Sequence, residues 1–341
     1  MPPRVAYWTT SFEPEMEAVA SEVACLRRAF PGSIAWGISS RDWKRFSSER
    51  GYCFHDRFYR LFQTVTHFAQ GAFHINHLFG GLGDWFHLKA VKKHPIVMTV
   101  AVDGTACEPR LLHKVDCFVV EWPAARDKLK HLGVDESRIR LVFPPVDTDR
   151  FQPAPRGART EGFTVLFASS PDSFEWLEGR GLNLLLDAAE LCREIRFLLV
   201  WRPWGDSLAH IKGAIEKRGL QNVKLAVGKY PNMESFYQQA HATIFPYRQM
   251  DKCKPSPNSL IESLACGRPV IVTPKVGLAE TVAGHGAGVV CEETAGSVAQ
   301  AIERLRSDWN SFSKNSRRAA EQLFSQRQFL QSYAQLYQEI L

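Results

Sequence analysis

Short apolar runs alternate with amphipathic stretches along most of the chain. Residues 4–8, 96–102, 117–120, 163–168, 197–201, 223–227, 242–245 and 270–272 read as buried strands. Met16, Val19, Ala20, Val23 and Leu26 repeat at helical spacing and predict a helix over 15–30, stopped by Pro31-Gly32. Further helices are predicted over 124–132, 182–192, 210–217, 235–240, 297–305 and 311–323. A last amphipathic helix over 329–341 carries Phe329, Leu330, Tyr333, Leu336, Tyr337 and Ile340 on one side. Residues 73–77 read as a strand opening into a glycine-rich loop, Phe79 to Gly83, and 138–142 as a strand leading into Pro144–Phe151. Residues 41–60 are polar, mixed in charge and without period, and receive no assignment. Strands that alternate with helices imply βαβ units and a mostly parallel sheet. The pattern breaks once, in the Pro-, Gly- and charge-rich run 152–161, which predicts a linker between two α/β domains.

The stretch from Phe245 to Thr273 organises the second half. Ser256 is suited to an N-cap and Pro257 to a first helical position, and Leu260, Ile261 and Leu264 give the helix an apolar side. Gly267 and Pro269 end it before the strand 270–272. A strand–loop–helix–strand unit of this kind opens a helix N-terminus at the carboxyl edge of a sheet, where anions bind. Arg248, Lys252 and Lys254 in the loop add positive charge.

A chain of 341 residues exceeds one ordinary core, which fits two domains. Its net charge of +6 is spread evenly on either side of residue 150, so no element concentrates basic residues as a nucleic-acid binder would. That charge is compatible with an anionic substrate or with peripheral contact with an acidic membrane surface. The eight cysteines are scattered with no C-x-x-C, which argues for a reducing compartment and against structural zinc. Glu13, Glu15 and Glu17 interrupt any signal-peptide core, and no apolar run is long enough to span a bilayer, so a cytoplasmic protein is expected.

Four segments stand out by their order and spacing: Pro145-Val-Asp-Thr-Asp-Arg-Phe151, Arg180-Gly-Leu-Asn-Leu-Leu-Leu-Asp-Ala-Ala189, Pro257 to Thr273, and Gly277-Leu-Ala-Glu280. With them the chain resembles the GT-B glycosyltransferases, specifically the family-four retaining enzymes that use nucleotide-sugar donors. The resemblance implies two Rossmann-like parallel-sheet domains facing across a cleft. An acceptor-side domain is expected over 1–152 and a nucleotide-sugar domain over 153–325, with a helix over 326–341 crossing back to the first. It implies transfer of a sugar from a nucleotide-diphosphate sugar to an acceptor hydroxyl with retention, needing no metal and no cofactor beyond the co-substrate. The acceptor would be a glycan, a lipid-linked compound or a small molecule. Glu262 would hold the ribose hydroxyls from one turn beyond Asn258. Ser259 and Leu260 would offer N–H groups to the diphosphate, and Arg180 matches the family's diphosphate lysine.

The sequence also departs from that pattern. Lys254 stands where the family keeps a glutamate, eight positions before Glu262. Ser169-Ser170 replaces an arginine after the first strand of the second domain, for which Arg202 is a substitute from the neighbouring strand end. The family's histidine after an N-domain strand is missing, and Asp103-Gly104 follows strand 96–102 instead. Asp103 is therefore either the N-domain catalytic group or an Asp-Gly turn. Gly80 and Gly81 are either a plain turn or a loop beneath the leaving group. His77 reads as a structural histidine, and Asp147-Thr-Asp149 as a turn rather than a metal site. These departures keep two alternatives open: a catalytically impaired GT-B binding subunit, and a nucleotide-sugar epimerase.

Overall fold

The structure is a computed structural model that describes residues 2–15, 17–39, 51–104, 108–154, 162–250 and 254–341. Met16, Lys252, Cys107, Cys253, residues 41–50 and most of the expected linker (155–161) lie outside the described residues.

The chain divides into two compact units, one of Met1–Pro144, Lys252–Pro255 and Arg327–Leu341, the other of Pro145–Asp251 and Ser256–Gln326. The first unit is built on β1 (Val5–Thr9), β2 (Ile34–Ile38), β3 (Tyr52–Phe54), β4 (Ile75–Gly81), β5 (Ile96–Val102), β6 (Cys117–Val120) and β7 (Ile139–Leu141). They form one sheet in the order β3-β2-β1-β4-β5-β6-β7, with every pairing parallel. The second unit holds β8 (Thr164–Phe167), β9 (Arg196–Trp201), β10 (Val223–Val227), β11 (Ala242–Phe245), β12 (Val270–Val272) and β13 (Gly288–Val290). Its order, β10-β9-β8-β11-β12-β13, is again all parallel. Both sheets reverse direction once, at β1/β4 and at β8/β11. Such a topological switch leaves a crevice at the carboxyl ends of the two strands.

Near-continuous apolar strands are what a sheet covered on both faces requires, and β1, β4, β6, β8, β11 and β12 are buried throughout. The final helix, Gln326–Glu339, contributes Phe329, Tyr333, Leu336 and Tyr337 to the core of the first unit. The first division of the chain falls at Pro144/Pro145, ahead of the expected 152/153. Residues 145–151 are held by the second unit: Val146 exchanges backbone hydrogen bonds with Phe324 and Gln326, and Arg317 donates to the carbonyls of Thr148 and Phe151.

Several elements were not anticipated. β2, β3, β13 and the helices Tyr59–Ala69 and Ala279–Gly284 had no assignment. The expected glycine-rich loop is corrected as well. Phe79, Gly80 and Gly81 lie in β4 and pair with β5, and the chain turns only at Leu82–Asp84.

Candidate functional site

At the switch point of the second unit, β8 runs out into Ser169 and β11 into Tyr247. Arg180 joins them there, its Nη1 donating to Ser169 Oγ at 2.6 Å and to Tyr247 Oη at 3.0 Å. Its guanidinium also lies over the Tyr247 ring, 5.1 Å from the centroid. The following residue fixes this geometry. Gly181 begins the helix Leu182–Leu191 at φ 71°, and a Cβ there would overlap the carbonyl oxygen of Pro246. Arg180 is thus pressed against the end of β11 by a contact only glycine allows.

From Tyr247 the chain enters the helix Asn258–Ala265. The cap differs by one position from expectation. Pro257 is the N-cap, with φ −63° and ψ 132°, and the first helical residue is Asn258. Helical hydrogen bonds start at the Pro257 carbonyl, which accepts from Leu260 N–H at 3.0 Å. Leu260 N–H is therefore already engaged, and an anion would meet the N–H groups of Asn258 and Ser259. Asn258 Oδ1 is buried and has no hydrogen-bond partner among the described residues. A buried acceptor left in that state marks a place where a donor is wanted.

One turn further on, Glu262 Oε2 accepts from Tyr237 Oη at 2.7 Å. Burial pushes the Glu262 carboxyl above the usual range, against the opposing pull of Tyr237, Arg150 and Arg202. Arg202 is half-buried at the end of β9, stacked 4.9 Å over Trp204, with Ser170 Oγ accepting its backbone N–H. The structure thus brings Arg180, Asn258, Ser259, Glu262 and Arg202 to the carboxyl edge of one sheet. Arg248 is different, since Glu178 and Glu293 both engage its guanidinium.

Lys254 is not gathered with them. Its ammonium is paired with Glu22 and, at 2.9 Å, with Glu121, and all three side chains belong to the first unit. Burial costs this ammonium less than the two carboxylates return, so its pKa is raised. Its charge is already satisfied, which corrects the expectation of a loop lysine waiting for phosphate.

In the first unit Asp103 follows β5, accepts Gly104 N–H at 2.9 Å and is ion-paired with Lys128. Its carboxylate is thus already engaged by a backbone N–H and a cation. Gly80 leaves room for Asp84 and Gly81 for the Val102 carbonyl; the Asp84 carboxylate takes Gly81 N–H at 2.9 Å and the Thr10 hydroxyl at 3.3 Å. Asp84 sits at the β1/β4 switch point, and burial raises its pKa. Sequence reasoning missed it, although its spacing behind Gly80-Gly81 was the available signal. His77 bonds Tyr337 at 2.6 Å and Thr99 at 2.7 Å, and burial drives its pKa down to about 3, so it stays neutral inside the core. Asp147 Oδ1 accepts the N–H groups of Asp149 and Arg150, which makes the Asp-x-Asp a turn. No group of three potential metal ligands occurs among the described residues.

Comparison with known proteins agrees with this geometry. Residues 163–308 match the family model for glycosyl transferases group 1. The fold is that of the GT-B glycosyltransferases. HepE of Anabaena, solved with UDP and glucose, superposes with a TM-score of 0.77 at 12% identity, covering 98% of this chain and 99% of that one. Sucrose-phosphate synthase of Thermosynechococcus elongatus gives 0.75 at 17% identity, covering 98% of each chain. In sequence, the chain is 24% identical over 218 residues to a D-inositol 3-phosphate glycosyltransferase of Paenarthrobacter aurescens. That match covers 59% of this chain and 51% of the relative, about half of its length.

Proposed function

We propose that the protein is a retaining glycosyltransferase that moves a sugar from a nucleotide-diphosphate donor to an acceptor hydroxyl. The observation that carries this reading is the cluster on the second unit, where Arg180, the start of the helix Asn258–Ala265 and Glu262 share one sheet edge. Arg180 offers a charge-assisted fork to the diphosphate. The free N–H groups of Asn258 and Ser259 add the helix dipole, worth about 0.3–1 kcal/mol per charge. Glu262 accepts from the ribose diol with the oxygen that Tyr237 leaves open. Neutralisation by these groups leaves no step for a metal ion, and transfer should survive a chelator. UDP in the HepE complex supports a nucleotide-sugar donor; the acceptor in this reading is a glycan, a lipid-linked compound or a small molecule. The setting we propose is cytoplasmic; no helix among the described residues is long and apolar enough to cross a membrane.

Calorimetric titration with UDP, GDP and ADP tests the donor site. One of them should bind in the micromolar range, and Glu262→Ala should weaken it at least tenfold with the circular dichroism spectrum unchanged. Equal affinity of variant and parent removes Glu262 from the ribose. A second reading, a GT-B binding subunit with impaired catalysis, is favoured by Lys254, which replaces the family's glutamate and, engaged by Glu22 and Glu121, supplies no hydrogen-bond acceptor for a donor sugar. Nucleotide binding without donor hydrolysis, and without transfer to any of a panel of acceptors, selects it.

A further inference from the structure

The second unit has a cavity at the edge of its sheet opposite the cluster of Arg180, Asn258 and Glu262. Those residues stand at the carboxyl ends of the strands. Phe163, His241 and Arg268 stand at the amino ends, just ahead of β8, β11 and β12. Together with the end of the helix Ala295–Ser307 and the start of the helix Trp309–Ala319, they line a cavity of about 320 Å³. That is the lower end of the range for small-molecule sites, with room for a single substituted ring.

Arg268 sets the chemistry of this cavity. The side chain is only 7% exposed, and burial lowers its pKa. Nε donates to the Tyr237 carbonyl at 3.1 Å and Nη2 to the Gln238 carbonyl at 2.8 Å, while the guanidinium lies 5.3 Å from the centre of the Trp309 ring. These contacts orient the fork but bring no negative charge. Among the described residues no carboxylate pairs with Arg268, and Nη1 has no acceptor. A buried cation held by neutral groups alone is costly, and a counter-ion brought by a ligand offsets that cost.

The rest of the wall suits the same occupant. The first hydrogen bond of the helix Trp309–Ala319 runs from Phe312 N–H to the Asp308 carbonyl. The N–H groups of Trp309 and Asn310 therefore have no partner within the helix and favour an anion. Arg306 adds a second guanidinium, shared with Glu303 at 3.3 Å. Asp308 is the one carboxylate in the wall; it is exposed and pairs with neither arginine. His241 and Trp309 are both partly exposed, with rings 5.9 Å apart, and supply flat apolar surface. Trp309 is held in place by its Nε1, which donates to the His241 carbonyl at 2.7 Å.

We propose that this cavity binds a small aromatic oxyanion, a phosphate ester or carboxylate on a single ring, at a site separate from the cluster of Arg180, Asn258 and Glu262. The oxyanion meets Arg268 Nη1 and the N–H groups that open the helix Trp309–Ala319. The ring lies against Trp309 and His241.

The test is calorimetric titration of the full chain with phenyl phosphate and, separately, with benzoate. At least one should bind at a single site, and the tighter of the two tells which oxyanion the site prefers. Phenol, which lacks the charge, and inorganic phosphate or acetate, which lack the ring, should each bind about tenfold more weakly. Arg268→Gln should abolish binding. Because Arg268 also holds two backbone carbonyls, Asn310→Asp serves as the second variant. An acid in the first turn suits the helix but repels an anion, so affinity should fall about fivefold with the circular dichroism unchanged. Arg180→Ala should leave the affinity for the probe as it is in the parent. Binding of neither probe by the parent overturns the proposal. So does equal affinity of the parent and Asn310→Asp, or loss of binding in Arg180→Ala, since the probe would then sit elsewhere.

Discussion

Gly181 and Arg180 show how one backbone constraint serves a neighbouring side chain. Any residue with a Cβ at 181 meets the Pro246 carbonyl and must hold a left-handed φ, itself a cost of about 1–2 kcal/mol. Gly181→Ala should therefore lower the urea midpoint and also weaken nucleotide-diphosphate binding, because Arg180 is pushed off Ser169 and Tyr247. Arg180→Ala separates the two effects. Ser169 and Tyr247 still bond each other, so stability should hardly change while affinity for a nucleoside diphosphate falls about tenfold. Affinity for the nucleoside should stay put. If Arg180→Ala lowers nucleoside and diphosphate binding alike, the arginine does not face phosphate. Titration of the parent adds a pH signature. Burial raises the Glu262 pKa, so a protonated carboxyl loses acceptor capacity earlier than an ordinary glutamate would. Affinity should fall as pH drops through that raised value, and Glu262→Gln should flatten the dependence.

At the scale of elements, the buried trio of Glu22, Glu121 and Lys254 ties together the helix Ala18–Ala29, the end of β6 and the short stretch of the first unit that carries Lys254. Two carboxyls share one ammonium, and burial together with the Glu22 charge lifts Glu121 well above its ordinary value. A native pKa above the unfolded one means that the folded state holds a proton the unfolded chain has released. Stability from this group is full below about pH 4.5 and is lost as pH rises through the folded value. Each tenfold difference in proton affinity between the two states is worth about 1.4 kcal/mol. Glu121→Gln should remove that loss, making the protein more stable at neutral pH and its stability flatter with pH. Lys254→Met should do the reverse, costing about 3–5 kcal/mol by stranding two buried carboxyls. Guanidinium unfolding between pH 5 and 8 reads both variants. A Glu121→Gln protein less stable than its parent at pH 7 would show that both carboxylates are ionised and needed. This trio also marks the limit of what the sequence discloses. Buried strands such as 96–102, 117–120 and 242–245 announce themselves because both faces need apolar residues. Asn258, Glu262 and Arg180 are legible because they sit at fixed spacings around a helix start. Glu22 lies 232 residues from Lys254, and no local pattern records such a pairing. β2, β3 and the helix Tyr59–Ala69 were obscured for another reason. Aromatic residues in them face outward as well as inward, Tyr52 and Phe68 against the buried Phe62, which blurs the period that would have identified them.

For the whole molecule, each unit has its own core, and the final helix belongs to the first. Phe329, Tyr333, Leu336 and Tyr337 are all buried there, with Tyr333 and Tyr337 bonded to Thr99 and His77. Removing Arg327–Leu341 exposes these partners on β4 and β5 and leaves His77 and Thr99 without their phenols. Losing even one large aromatic side chain from a core costs about 3–5 kcal/mol, so this truncation should take away the cooperative unfolding of the first unit. The second unit keeps its sheet, its helix Asn258–Ala265 and its own cluster around Phe167, Trp201 and Leu185. Calorimetry of the truncated chain should then show one surviving transition. A nucleotide at 100 times its dissociation constant should stabilise that transition by about 2.7 kcal/mol, as expected if the donor site is carried by the second unit alone. A surviving transition that does not move with nucleotide would mean that residues of the first unit complete the site. Loss of both transitions would mean that the second unit does not fold without the first.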